Sequence, residues 1–170
     1  MEVLVESIRP DAANGEAPEI PRLETSRGPG ATGDVDFWTT REVREVQKSH
    51  VNWVVADTRK WEQTAAYYID THPGVRAFVK NAGLGFAVPY LHNGQMHDYQ
   101  PDFIIQLNTT DERYLLLETK GYDPLKEVKE AAAQRWCSAV NAHGGYGRWS
   151  FELTDRTDRV RSLLDAAFSR

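Results

Sequence analysis

The chain has 170 residues, a length typical of one domain with a proper hydrophobic core. Its hydrophobic content of 41% is ordinary for a globular protein, and no apolar run approaches the roughly 20 residues that span a bilayer. The net charge of −5 argues against a free-standing, high-affinity nucleic-acid binder, because phosphate binding gains from clustered Lys and Arg. It does not exclude a nuclease, since a nuclease site concentrates carboxylates to bind metal.

The start of the chain and its cysteine content predict a cytoplasmic location. Residues 1–6 are acidic and lack the basic and apolar segments of a signal peptide. Cys137 is the single cysteine, so an internal disulfide is excluded. Its place in a helical pattern favours a small buried side chain over a nucleophile.

Residues 1–34 are predicted to form an irregular arm or the end of a preceding domain. They hold four of the twelve glycines and four of the eight prolines. Segment 28–34 has the outer glycines of a phosphate loop, but Asp34 stands where that loop requires Lys, and it would repel phosphate. We therefore expect no ATP motor in this chain, and we place the folded domain at residues 35–170.

The remaining chain shows the periodicities of strands and helices in alternation. From residue 58 the order of the main elements is helix, three strands, helix, strand, helix. Strands are predicted at 35–40, 51–55, 86–91, 103–107, 114–117 and 149–153, and helices at 58–70, 74–81, 124–142 and 160–168.

Charged residues at the ends of two apolar runs are the most informative feature. Asp102 opens the run 103–107, and Glu118 and Lys120 close the run 114–117. The turn-prone residues between the runs predict a β-hairpin. Side chains alternate along a strand, so Glu118 and Lys120 point to one face, and the hairpin can bring Asp102 beside them.

Two carboxylates and an ammonium at one end of a sheet have the chemistry of a metal-dependent hydrolase. Carboxylate oxygens suit Mg²⁺, and an amine can orient or help to deprotonate the attacking water. Thr119 would contribute at most its backbone carbonyl, because its side chain points to the opposite face. The alternative is that these residues are solvated or form weak surface ion pairs. The Pro101–Asp102 pair, the apolar strands and Gly121, which lets the chain turn away, favour a site.

These motifs resemble those of the PD-(D/E)xK nucleases. Over roughly residues 34–155 the chain is similar to the C-terminal endonuclease region of type III restriction-enzyme-like helicase–nucleases. The resemblance implies a restriction-endonuclease-like α/β core of α-β-β-β-α-β order, with a mixed central sheet flanked by helices. It is carried by segments 49–57, 61–62, 79–81, 85–90, 99–103, 118–121, 133–136, 140–141 and 147–149.

The resemblance also assigns roles to individual residues. It implies that Asp102 and Glu118 are metal ligands and that Lys120 is the catalytic lysine. Glu62 corresponds to an upstream acidic residue that some members use at the metal site. The alternative for Glu62 is a carboxylate on the helix surface beside Lys60.

Two residues on the helix after the motif are further candidates. Gln134 is expected to face the site or the DNA backbone. Lys129 could do the same, but the mixed charges around it favour a solvated side chain. The five tryptophans could stack on bases, although their apolar surroundings favour core packing.

The function implied by the resemblance is a Mg²⁺-dependent endonuclease domain that hydrolyses DNA, with Mn²⁺ able to substitute. It would belong to a restriction or phage-defence system, and its partner would be a helicase or translocase that this chain lacks. No membrane partner is expected. The alternatives are a catalytically silent nuclease fold that docks DNA or protein, and a stand-alone repair or junction-resolving nuclease.

Overall fold

Strands and helices alternate along the described part of the chain. The computed structural model describes residues 30–55, 61–119 and 123–169, so the predicted arm at 1–34 lies almost entirely outside these ranges, as do Lys120 and Gly121. No helix in these ranges is long and apolar enough to cross a membrane. The elements are β1 (Val43–Glu45), β2 (Trp53–Val55), α1 (Trp61–Thr71), β3 (Val75–Lys80), β4 (Val88–His92), β5 (Gln95–Tyr99), β6 (Phe103–Leu107), β7 (Arg113–Thr119), α2 (Lys126–His143), β8 (Arg148–Thr154) and α3 (Val160–Ser169).

A mixed four-stranded sheet lies at the centre of the described residues, with strand order β3-β6-β7-β8. Strand β6 runs antiparallel to both β3 and β7, whereas β7 and β8 are parallel. Parallel neighbours need a long crossover, and α2 supplies it. The fold is therefore mixed α/β with a mixed central sheet flanked by helices. Strands β1–β2 and β4–β5 form two separate antiparallel pairs.

Both faces of the central sheet are covered by apolar side chains. Leu115 and Leu117 of β7 lie in a core cluster with residues of α1 and α3. Leu116 points the other way, into a cluster with α2 and the β4–β5 hairpin. Burial on both faces explains why β7 reads as a continuous apolar run instead of an alternating one.

The three longest predicted helices are confirmed with small shifts in their ends. They span Trp61–Thr71, Lys126–His143 and Val160–Ser169. Helix α2 ends as its glycines predict, because Gly144 takes a left-handed conformation with φ of 75° and donates its N–H to the Val140 carbonyl.

The predicted helix at 74–81 is wrong, because Val75–Lys80 forms strand β3. A short apolar run does not distinguish helix from strand by its period, and antiparallel pairing with β6 decides the matter here. The run is rich in branched and aromatic residues, and Val75, Phe78 and Val79 are buried. Strand β3, and not the predicted strand at 86–91, is therefore the first strand of the central sheet.

Two further predictions near the start of the described chain need correction. Residues 35–40 are irregular, and the strand lies later, at Val43–Glu45. The prediction of core packing is wrong for Trp38, Trp53 and Trp61, whose side chains are substantially exposed. The same prediction is confirmed for Trp136 and Trp149, which are partly buried and pack against the core cluster that includes residues of α2.

Cys137 lies on the inner face of α2 and is buried, as predicted. Burial raises the pKa of its thiol to about 12, because a thiolate would lose its hydration there. The thiol is therefore neutral at physiological pH and serves as a small apolar side chain.

Candidate metal-binding active site

Asp102 and Glu118 lie side by side at one end of the central sheet. Asp102 directly precedes β6, and Glu118 is the penultimate residue of β7. The pairing of Phe103 with Leu117 sets this register. The Asp102 backbone N–H donates a hydrogen bond of 3.1 Å to Glu118 Oε2. The hairpin expected from the sequence therefore does bring Asp102 and Glu118 together.

The Asp102 carboxylate is held by three donors. Its Oδ2 accepts the backbone N–H of Thr119 at 2.8 Å and the Thr119 hydroxyl at 2.9 Å. Its Oδ1 accepts the Lys80 ammonium at 2.6 Å. The expectation that the Thr119 side chain points away is therefore wrong. Side chains alternate strictly between the two faces only within the paired strands. Asp102 lies before the first β6–β7 pair, at the strand end, so its carboxylate can meet a side chain from either face.

A buried lysine connects Asp102 to Glu62. Lys80 is the last residue of β3, and its Nζ lies 3.5 Å from Glu62 Oε1 and 5.2 Å from the centre of the Phe103 ring. Glu62 and Lys80 are only 5% and 8% exposed. Lys60, the neighbour that the surface alternative needs, lies outside the described residues, but the burial of Glu62 rules that alternative out. Glu62 thus belongs to the same cluster as Asp102 and Lys80.

Asn81 fixes the loop that follows β3 against the segment before β6. Its amide donates to the carbonyls of Phe86 at 2.7 Å and Pro101 at 3.0 Å, and its Oδ1 accepts the Phe86 N–H at 3.2 Å. Its own N–H donates to the Asp102 carbonyl at 2.8 Å. Asn81 therefore positions both Lys80 and Asp102.

The sequence motifs predict no role for Lys80 or Asn81. Both stand in segment 79–81, one of the segments that carry the resemblance. A usable signal was present, because a lysine and an asparagine directly after an apolar run are unusual at a buried position. The predicted helix at 74–81 obscures this signal, since a helix would spread these side chains around its axis.

Tyr99 and an ion pair flank the carboxylates. The Tyr99 phenol is buried near Glu118, but its Oη is not well placed for a hydrogen bond to any described residue. Burial first, and then the charges of Glu118 and Asp102, raise the pKa of Tyr99 well above its usual value. Lys129 Nζ lies 2.7 Å from Asp123 Oδ2 and 5.8 Å from the Tyr99 ring centre. Lys129 is therefore partly buried beside the site, and the prediction of a solvated side chain is wrong.

The remaining candidates are not brought to this cluster by any described contact. Gln134 is exposed on α2, and its Nε2 lies 3.4 Å from Glu130 Oε1, one turn away. This position does not support a role for Gln134 beside the carboxylates. Lys120 lies outside the described residues.

The donor set of the cluster fits a small, hard cation. Asp102 and Glu118 offer carboxylate oxygens, and Mg²⁺ commonly binds through one or two carboxylates and completes its shell with water and substrate oxygens. A cation already lies among the carboxylates of this sheet end, because Asp102 and Glu62 both contact the Lys80 ammonium. Among the described residues, no three Asp, Glu, His or Cys side chains are placed to ligate one metal ion together.

Comparisons with known proteins identify no relative of this chain. No family model matches it, and neither the curated proteins nor the solved structures include a significant match.

We predict that Asn81→Ala destabilises the protein by about 2–4 kcal/mol, because it removes three hydrogen bonds and leaves buried backbone groups unsatisfied. Urea unfolding measures the change. Asn108→Ala is the control, since the Asn108 amide makes only a 3.5 Å contact with the Pro73 carbonyl at an exposed site. Equal losses in both variants would contradict the role of Asn81.

We also predict an alkaline loss of stability that depends on Tyr99. The pKa of Tyr99 is raised in the folded protein, so the phenol stays protonated there while the unfolded chain ionises above about pH 10. The contribution of the Tyr99 phenol to the free energy of unfolding is therefore fully present below about pH 10. It is lost as pH rises, by up to about 1.4 kcal/mol per pH unit. Urea unfolding between pH 9 and 11.5 should show a shallower decline for Tyr99→Phe than for the wild type. Parallel curves would refute this role.

Proposed function

We propose that this chain is a metal-dependent DNA endonuclease domain with a restriction-endonuclease-like core. The observation that carries the proposal is the meeting of three carboxylate residues at one end of the sheet. Asp102 and Glu62 share the buried Lys80 ammonium, and the Asp102 backbone N–H donates to Glu118 Oε2. The sequence pattern marks Asp102 and Glu118 as candidates and the resemblance adds Glu62. They come from the start of β6, from β7 and from α1. Their meeting is what a hydrolytic site built on carboxylates requires.

The cost of burying these groups supports function over a purely structural role. Ionised side chains that are almost fully buried lose hydration, and ion pairs recover this loss only in part. The sheet end holds three carboxylates and one ammonium among its described side chains, a formal charge of −2 before any contribution from Lys120. A divalent cation would offset that charge.

The order of elements supports the proposed core. From α1 onward the elements of the central sheet and its helices follow the order α1, β3, β6, β7, α2, β8. This is the α-β-β-β-α-β order that the resemblance implies. The agreement depends on β3 in place of the predicted helix at 74–81.

The residues would divide the chemical work as follows. Asp102 and Glu118 would hold the ion, and Thr119 would keep the Asp102 carboxylate oriented through its two hydrogen bonds. The ion, when bound, supplies Lewis-acid stabilisation of phosphate charge and makes the attacking water more acidic. Lys120, which the sequence pattern predicts on the same strand face as Glu118, would offset charge in the transition state.

DNA as substrate and a helicase or translocase as partner rest on the sequence resemblance. The net charge of −5 supports dependence on such a partner, because a domain with few clustered cations binds phosphate weakly. A restriction or phage-defence system in the cytoplasm is the setting that the resemblance suggests.

The second candidate is a catalytically silent nuclease fold that docks DNA or protein. One observation favours it, because the Lys80 ammonium already serves as the counter-charge at Asp102 Oδ1. The two experiments below separate the candidates.

We expect Asp102→Asn to abolish Mn²⁺ and Mg²⁺ binding, because it removes the charge of a ligand and keeps an oxygen acceptor for Thr119. Calorimetry measures the binding. Asp70→Asn is a matched control, since Asp70 Oδ1 accepts the N–H groups of Gln47 and Lys48 at the far end of α1. Unchanged Mn²⁺ affinity in Asp102→Asn would remove Asp102 from the site.

We expect Lys120→Ala to retain Mn²⁺ binding and lose cleavage of supercoiled DNA by about 10²-fold or more, the scale for a positioned acid–base or electrostatic group. The assay uses this chain at high concentration with Mn²⁺, and with EDTA as the blank. Lys126→Ala, which removes an exposed positive charge at the start of α2, should cleave like the wild type. Equal cleavage by all three proteins would exclude Lys120, and metal binding without any cleavage would favour the docking module.

A further inference from the structure

We propose that Lys80 is an internal placeholder cation, which neutralises the carboxylates of the site in the absence of metal and is displaced from Asp102 when a divalent ion binds. The proposal rests on the metal site put forward above and adds a regulatory step to it. It predicts that an ion pair within the chain sets the metal affinity.

The geometry leaves the metal and the lysine competing for one oxygen. Asp102 Oδ2 already accepts two hydrogen bonds from Thr119, so Oδ1 is the oxygen of this carboxylate with capacity for a further cation. Lys80 Nζ contacts that oxygen at 2.6 Å. A cation that binds Asp102 through Oδ1 therefore meets the ammonium at close range, and two like charges at such a distance repel strongly.

The lysine is held by weak links on its other side. Its distance of 3.5 Å to Glu62 is longer than that of a strong charge-assisted hydrogen bond. Its ammonium lies over the Phe103 ring at 5.2 Å, a contact that tolerates movement of the charge. The end of the side chain can thus leave Asp102 and keep Glu62 as its partner.

The exchange has a physical advantage for a buried acidic site. Without a counter-charge, carboxylates this deeply buried would repel one another and lose hydration. A tethered ammonium supplies the counter-charge at no cost in translational entropy, yet it is monovalent. A divalent ion brings twice the charge, so it can replace the ammonium while the carboxylates stay in place.

The test compares Mn²⁺ binding by the wild type and by Lys80→Met, which preserves most of the side-chain volume and removes the charge. We expect the Mn²⁺ association constant to rise at least 10-fold in calorimetry. In EDTA the variant should melt below the wild type, and Mn²⁺ should raise its melting temperature more than it raises that of the wild type. A lysine that only positions the carboxylates predicts the opposite result, weaker Mn²⁺ binding.

Lys48→Met is the matched control. Lys48 is also partly buried, but its Nζ donates to the neutral carbonyl of His72 at 2.6 Å. This variant should lose stability with no gain in Mn²⁺ affinity and no larger response to Mn²⁺. A similar gain in both variants would overturn the proposal, because the effect would then come from lost net charge in general.

A second pair of variants covers the case in which Lys80→Met does not fold. Glu62→Gln removes one negative charge, so Glu62→Gln/Lys80→Met buries less uncompensated charge. The double variant should bind Mn²⁺ more tightly than Glu62→Gln alone. Equal or weaker binding would overturn the placeholder role, and so would failure of both Lys80 variants to fold even with Mn²⁺ present, since the ammonium would then be a fixed structural group.

The two proposals fail in different ways. If the wild type binds Mn²⁺ through Asp102 and Lys80→Met binds it more weakly, the placeholder role is refuted and the metal site is supported. If neither the wild type nor any Lys80 variant binds Mn²⁺, the metal site itself is refuted, and the placeholder role with it.

Discussion

Strand β6 lies between β3 and β7 and runs antiparallel to both, so its start lies beside the ends of both neighbours. This constraint assembles the candidate site. It places Lys80 at the end of β3 and Glu118 near the end of β7 on either side of Asp102. No single loop could bring these groups together, because they are separated by up to 38 positions in the chain.

The same sheet end concentrates polar groups in an otherwise apolar structure. The centre of the sheet is filled by fully buried side chains such as Ile105, Leu115 and Leu116. At the end of the strands, buried charges and the hydrogen bonds of Asn81 replace that packing. Burying charged groups costs free energy, and these groups are concentrated at this end of the sheet, which supports a functional site there. The proposed exchange of Lys80 for a divalent ion would let one cluster be stable both with and without metal.

Much of the fold follows from patterns that the sequence displays. The apolar stripes of α1, α2 and α3 and the two runs of the β6–β7 hairpin predict these elements within a few residues. The first strand of the central sheet, β3, is not predictable in this way. Its run is short, and its side chains are buried near the strand end, so neither a period of 2 nor one of 3.6 is visible.

The sequence by itself determined that Asp102 and Glu118 stand at the ends of two adjacent strands, because a hairpin with a short turn dictates that neighbourhood. Only the tertiary structure decided the other partners. Lys80 and Glu62 reach the carboxylates through the pairing of β3 with β6 and the packing of α1 on the sheet. Such contacts depend on which element lies next to which, and the period of a local pattern carries no information about that choice.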